Sequence, residues 1–426
     1  MAGIEDHELR YSLANELHAR PFPTLEAPCR AIHLAIKKPK DAAARDREED
    51  RAHLIDLLDR FGAAHPQPDA THYFGEIGRH RIKWESHSEF VTYTIFAEGV
   101  SDVPFDAHTF GVFPDDWLQA APGQRITSIL VRVEREADDD QIKPKLNDWF
   151  VRESLSVARV LEDEAVVAGD FRIDENGHTR FAMFARPSTD AHRIGRVVQR
   201  ICEIETYKAM SMLGFARCRN LSSEMGEIDG RLTSLMEEMT REEAGPDQTL
   251  TELLGVSSRL ENMLAQSAFR FGATRAYEAL VHQRIEILRE ARFLGMQMFS
   301  EFMLRRFDPA MRTVASTQRQ LNAMADRAMR AGDLLRTRVD VERSAQSQLL
   351  LQSMDRRADL QLRLQHTVEG LSVVAISYYA VNLALYAGYP VYSGMGVSKG
   401  WAAAVMVPVV LGLVWWMVRR IRRSFH

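Results

Sequence analysis

The chain is 426 residues long, with 54 Lys and Arg against 59 Asp and Glu and a formal net charge of −5. That length accommodates two or three domains with a sizeable core, and the interspersed, slightly acidic charge argues against a general nucleic-acid binder. The three cysteines, Cys29, Cys202 and Cys218, are an odd set without a CxxC pair and read as reduced thiols in a reducing compartment.

Residues 1–21 contain no apolar core of a signal peptide, so a cleaved leader is not expected. From there to Pro187 short strand-like and helical pieces alternate. Cys29–Lys37 leans towards a strand. Ala42–Phe61 places Leu54, Leu57, Leu58 and Phe61 on a charged background and predicts an amphipathic helix. Thr71–Ile77, Arg81–Ser86, Phe90–Ala97 and Arg125–Glu134 are strand candidates, rich in β-branched and aromatic residues. Val157–Ala185 predicts two or three more strands, with Asn176-Gly177 as a hairpin turn. Residues 1–187 therefore read as an α+β or α/β domain with a largely antiparallel sheet.

At Ser188 strand-like runs stop. Ser188, Thr189 and Asp190 offer cap chemistry, and Ile194, Val197, Val198, Ile201, Ile204 and Ala209 follow at helical spacing. Gly245-Pro246-Asp247 breaks this helix. A second helical region runs from Gln248 to about Phe307, with a small interruption expected at Ala268–Phe271, which closes a helical domain at 188–309. Residues 310–370 predict one long stalk helix, with Val314, Leu321, Ala325, Ala328, Leu335 and Val339 at intervals near three and four. Such a stalk needs neighbours, either the preceding helices or copies of itself, so a homo-oligomer is expected.

Two uncharged apolar runs follow, at 371–391 and 401–418, joined by a loop at 392–400 and closed by a basic tail at 419–426. Each is long enough to cross a lipid bilayer as a helix. Arg356, Arg357 and Arg363 precede the first run and Arg419, Arg420, Arg422 and Arg423 follow the second, whereas the loop has only Lys399. The positive-inside rule then puts both termini in the cytoplasm and the loop outside.

Candidate chemistry is sparse. Glu16, His18 and Arg20 could bind an anion or assist proton transfer, or simply pin an N-terminal arm. His72, His80 and His87 with Glu85 and Glu89 crowd one hairpin region, where strand residues are the better reading than metal ligands. Asp138-Asp139-Asp140 could attract a divalent cation between subunits, or cap and solvate a loop, as Lys143-Pro144 just after them suggests. Glu203 and Glu205, two apart on a helix, face different sides. No P-loop, GxGxxG, GxSxG or HExxH pattern occurs, and no enzymatic activity is expected.

A cytoplasmic α/β domain, a proline-free stalk, two C-terminal spans and a basic tail together resemble the CorA-type magnesium channel family, and Gln365–Tyr389 looks like that family's stalk-to-pore passage. The resemblance implies a pentamer around the first span, a divalent cation such as magnesium, and a pore lined by candidates Ser377, Asn382, Tyr386 and Gly388. An interhelical hydrogen bond explains Asn382 equally well. The family's Gly-Met-Asn pore signature is absent; Tyr386–Val391 stands there, and Gly394-Met395-Gly396 lacks the asparagine. Asn15–Phe22 (NELHARPF), Trp84-Glu85 with His87–Phe90, Glu203–Tyr207 and Asp308–Arg312 resemble a bacterial family of uncharacterised membrane-anchored proteins, which implies an inner-membrane location. The expected function is a CorA-like ion channel or transporter with a cytoplasmic regulatory domain. The alternative is a scaffold or sensor whose hairpin only tethers and oligomerises it.

Overall fold

The computed structural model describes residues 4–11, 13–14, 21–40, 42–68, 70–241, 245–396 and 398–424. Among them one nine-stranded sheet is formed by β1 (Cys29–Lys37), β2 (His72–Ile77), β3 (His80–Ser86), β4 (Phe90–Glu98), β5 (Gln124–Arg135), β6 (Ser156–Val160), β7 (Ala165–Ile173), β8 (Thr179–Ala185) and β9 (Ala291–Arg292), in the order β2-β3-β4-β1-β5-β8-β7-β6-β9. Every pairing is antiparallel except β5 with β8. The α+β character with a largely antiparallel sheet is as the sequence predicts.

Local chemistry sets the turns. In the β7–β8 hairpin the Asp174 carboxylate accepts from the backbone N–H groups of Asn176 (3.0 Å) and His178 (2.8 Å), and Gly177 takes the left-handed φ of 85°. This is the turn that Asn176-Gly177 announces.

Strand alternation divides the core. Ile32, Leu34 and Ile36 of β1 point to a layer holding α1 (Arg47–Arg60), through Leu54, Leu57 and Leu58, and α2 (Asp115–Gln119), through Trp117. Asp46 caps α1 by accepting from the Glu48 N–H at 2.9 Å. Ala31, Ile129, Val131 and Phe181 point the other way, into a core shared with the long helices α4 (Ala191–Arg241) and α5 (Pro246–Leu288). The far half of the sheet is covered by α3 (Asp139–Trp149), whose Ile142, Leu146 and Trp149 pack with Val166, Phe184 and Phe293.

Four local expectations need correction. Asp138 does act as a cap, but of the helix α3 and not of a loop: it accepts from the Asp140 N–H at 2.9 Å, and Pro144 sits inside the helix, where burial of Leu146 and Trp149 outweighs its lost N–H. No interruption occurs at Ala268–Phe271: α5 is continuous there, with Phe271 buried in the core. Strands do not stop at Ser188 either. Ala291 and Arg292 pair with Arg159 and Ala158 of β6, a two-residue edge too short to leave a periodic signal. The second helical region consequently ends at Leu288, not near Phe307.

After a short helix α6 (Phe299–Phe302) and a π-helical turn (Met303–Phe307), α7 runs from Asp308 to Gly394 and α8 from Lys399 to Ser424. Val314, Leu321, Ala325, Ala328, Leu335 and Val339 are all buried, so the apolar spacing of the stalk does mark a packed face. Two compact units result. One comprises Met1–Glu243 and Thr251–Ala331; the other comprises Ala244–Leu250 and Gly332–His426. The sheet, the two long helices and the first part of α7 therefore belong to one unit, across 187/188 and 309/310.

Candidate functional site

Within the second unit α7 changes character beyond Val339. Every residue from Arg343 to Val368 is exposed, including Leu349, Leu350, Leu351, Met354, Leu360, Leu362 and Leu364. A water-exposed helix with this many bare leucines has an unmet apolar surface. The spacing is ordered. Leu350, Met354, Arg357, Gln361, Leu364, Val368, Leu371, Ala375, Tyr378, Asn382, Leu385 and Tyr389 follow one another at alternating steps of four and three. The heptad spacing is continuous, the pattern by which helices pack side by side. Leu350 is 65 % exposed, Met354 65 %, Leu364 68 % and Val368 58 %. None of these four stands out by residue type, although the 3.5-residue period is present in the sequence.

The seam sorts the residues proposed to line a pore. At about 100° per residue, Asn382 lies on it, Tyr386 and Gly388 flank it, and Ser377 points away. Ser377 is buried, as is Val414 of α8, and they are the only buried positions in the two apolar runs. The Asn382 amide donates to the Tyr378 carbonyl of its own helix at 3.0 Å. Both runs lie in helices long and apolar enough to cross a membrane, and their remaining positions are exposed or half-buried.

Arg357 and Gln361 interrupt the apolar seam. Asp355 and Asp359 stand two residues to either side of Arg357, on the opposite face of the helix, so neither carboxylate reaches the seam beside it. A polar layer of this kind costs stability and in return selects register and copy number.

The first unit holds a second concentration of polar groups, between the sheet and α4 and α5. His33 of β1 hydrogen-bonds Thr94 of β4 (2.7 Å) and Thr206 of α4 (3.0 Å), and burial drives its pKa down to about 3, helped by the charges of His87 and Lys83. Lys83 donates to Gln199 at 2.9 Å, Gln199 donates to Glu203 at 2.7 Å, and Arg284 of α5 pairs with Glu203. Glu89, buried, is held by Arg270 and by the Tyr277 hydroxyl at 3.2 Å. Each charge is answered by a partner across the layer, which fastens the helices to the sheet. A histidine held neutral across the physiological range cannot act there as a proton switch.

Other predicted residues are spread apart. His72 faces Glu85 across β2–β3, His80 closes that hairpin opposite Ile77, and His87 stacks on Phe90 with ring centroids 4.3 Å apart. Asp139 pairs with Arg159 and, at 2.8 Å, with Arg186; burial raises its pKa, and the two guanidiniums overcome this and lower it. Asp140 is exposed. Among the described residues no three His, Cys, Asp or Glu side chains gather as a metal would require. Glu16, His18 and Arg20 lie outside the described residues. The arm that follows them is held firmly: the Leu25 N–H donates to the Ala191 carbonyl (3.0 Å), Arg81 donates to the Thr24 carbonyl (2.7 Å), and Leu25 is buried.

No curated protein matches the chain. The family described as "Protein of unknown function (DUF3422)" matches residues 5–425, nearly the entire length, and the chain belongs to that family.

Proposed function

We propose that the protein is a membrane-anchored, homo-oligomeric scaffold or sensor of the bacterial inner membrane, with both termini cytoplasmic and its copies joined along α7. The observation that carries this is the exposed heptad seam running from Leu350 into the first apolar run. Burying Leu350, Met354, Leu364 and Val368 against like residues is worth on the order of 6–12 kcal/mol gross per chain, and a lone helix leaves it unused. Chains anchored in one orientation bring these layers together in parallel and in register. The apolar runs gain no hydrophobic drive from each other in lipid, so the water-exposed part of the seam supplies most of the association.

The second reading is a CorA-like channel, pentameric if the likeness extends that far. Asn382 favours it, since a seam residue faces the axis of any ring of copies. Arg357 opposes it for magnesium: a ring of guanidiniums on the same axis repels a divalent cation approaching from the cytoplasm. The anchor reading is preferred for that reason.

Molar mass in detergent, corrected for bound detergent, tests the assembly. Wild type is expected to form a discrete oligomer, and Leu364→Glu with Val368→Glu to be monomeric. A monomeric wild type removes both readings. Tracer-metal flux into proteoliposomes separates them. No flux in either wild type or Asn382→Leu supports the anchor, and flux lost in Asn382→Leu supports the channel.

A further inference from the structure

We propose that Arg196 and Arg200 of α4 form a binding site for a phosphate-type oxyanion, with Arg284 of α5 and Arg289, the residue just after that helix, as neighbouring positive charges. Arg196 and Arg200 are four residues apart, hence on one face of the helix. Both are half-buried, and neither forms a hydrogen bond or ion pair among the described residues. This is unusual within the chain. Arg132, Arg159, Arg186, Arg270 and Arg284, half-buried likewise, each hold a carboxylate.

The acids around the pair are already engaged. Glu203, one turn beyond Arg200, accepts from Gln199 and pairs with Arg284. Glu162 pairs with Arg289 at 2.7 Å, while Glu164 and Asp190 both hold Arg193. Four guanidiniums therefore share a neighbourhood with too few carboxylates. The effect on Arg200 is direct: burial first, then Arg196, lower its pKa against the pull of Glu203, and Arg284 and Arg289 add to the lowering. The Phe22 ring, 6.0 Å from the Arg200 guanidinium carbon, closes one side.

A half-buried, unpaired cation among like charges is unfavourable unless something answers it. An oxyanion with several acceptor oxygens matches planar guanidinium forks, each able to donate two parallel hydrogen bonds. A single carboxylate could satisfy one fork; phosphate oxygens can satisfy two at once. The shared chemistry is a phosphoryl group, whether carried by a free ion or by a lipid headgroup.

The experiment uses the full-length protein in neutral detergent, with thermal unfolding followed at constant ionic strength. Inorganic pyrophosphate is expected to raise the midpoint saturably where sodium chloride does not. Its apparent affinity should fall at least tenfold in Arg196→Gln and in Arg200→Gln, and stay unchanged in Arg319→Gln, an exposed arginine of α7. Arg196→Gln keeps the test valid should Arg200→Gln unfold. A parallel titration with nanodiscs containing phosphatidylglycerol or only phosphatidylcholine identifies the source. Arginine-dependent binding confined to phosphatidylglycerol assigns the site to a headgroup, and binding of pyrophosphate alone assigns it to a free ion. No saturable shift with either ligand, or an equal shift in all variants, overturns the proposal.

Discussion

Replacing Gly195 by alanine is expected to release the N-terminal arm. A Cβ at Gly195 would lie 1.6 Å from the Pro23 carbonyl oxygen and 2.6 Å from its carbonyl carbon, both backbone atoms without a rotamer to escape into. Either α4 or the arm must yield. Ile194, Val197 and Val198 on either side of Gly195 are fully buried in the core against the sheet, so the arm gives way. Its release exposes Leu25, at a cost of about 2 kcal/mol, and breaks the Leu25–Ala191 and Arg81–Thr24 hydrogen bonds, at about 1 kcal/mol each. Alanine returns about 1 kcal/mol of helix propensity, leaving a net loss of roughly 3 kcal/mol, at the upper end of what single substitutions do. Urea unfolding in detergent measures the loss, and hydrogen exchange at the Leu25 amide shows whether the arm has lifted. A variant as stable as wild type, or stabilised by the propensity gain, with the Leu25 amide still protected, would refute the reasoning.

Arg45→Met is expected to cost about 3–5 kcal/mol, the usual range for breaking one side of a buried ion pair. The Arg45 side chain is 2 % exposed; it donates to Asp50 at 2.6 Å and also to Ser86 and the carbonyls of His87, Ser88 and Phe90. A loss under 1 kcal/mol by urea unfolding counts against that network. Acid should destabilise the fold through His33. Its folded pKa, about 3, lies below the unfolded value near 6.5, so the unfolded chain takes up the proton first. Stability is then complete above about pH 6.5 and falls towards pH 3 by up to about 1.4 kcal/mol per pH unit. His53 and His178, also lowered by burial, add in the same direction. His33→Gln should flatten the slope between pH 6 and 4.5; a slope identical to wild type would show that His33 is not the linked group.

Much of the fold was readable because period and turn chemistry are local. The strands from Thr71 to Ala97, the Asn176-Gly177 hairpin and the stalk stripe from Val314 to Val339 each carry their signal within a few residues. Other features depend on partners distant in the chain. Glu89 finds Arg270 across 181 positions, and His33 finds Thr206 across 173, with nothing in either neighbourhood to forecast the meeting. The Arg196–Arg200 cluster was hidden in the same way. Arginines four apart on a helix are commonplace, and only the engagement of Glu203, Glu162, Glu164 and Asp190 elsewhere leaves these two unanswered.

Hydrophobic period set most of the longer helices and strands and the two apolar runs near the end of the chain, because burial of one face repeats at the spacing of the element itself. Tertiary structure decided which polar groups are answered and which are not. It also separated the part of α7 that packs, up to Val339, from the part that stays bare. A heptad reads the same whether its partner is a neighbouring helix or another molecule, and only the coordinates show that from Leu350 to Val368 none of the described residues covers it.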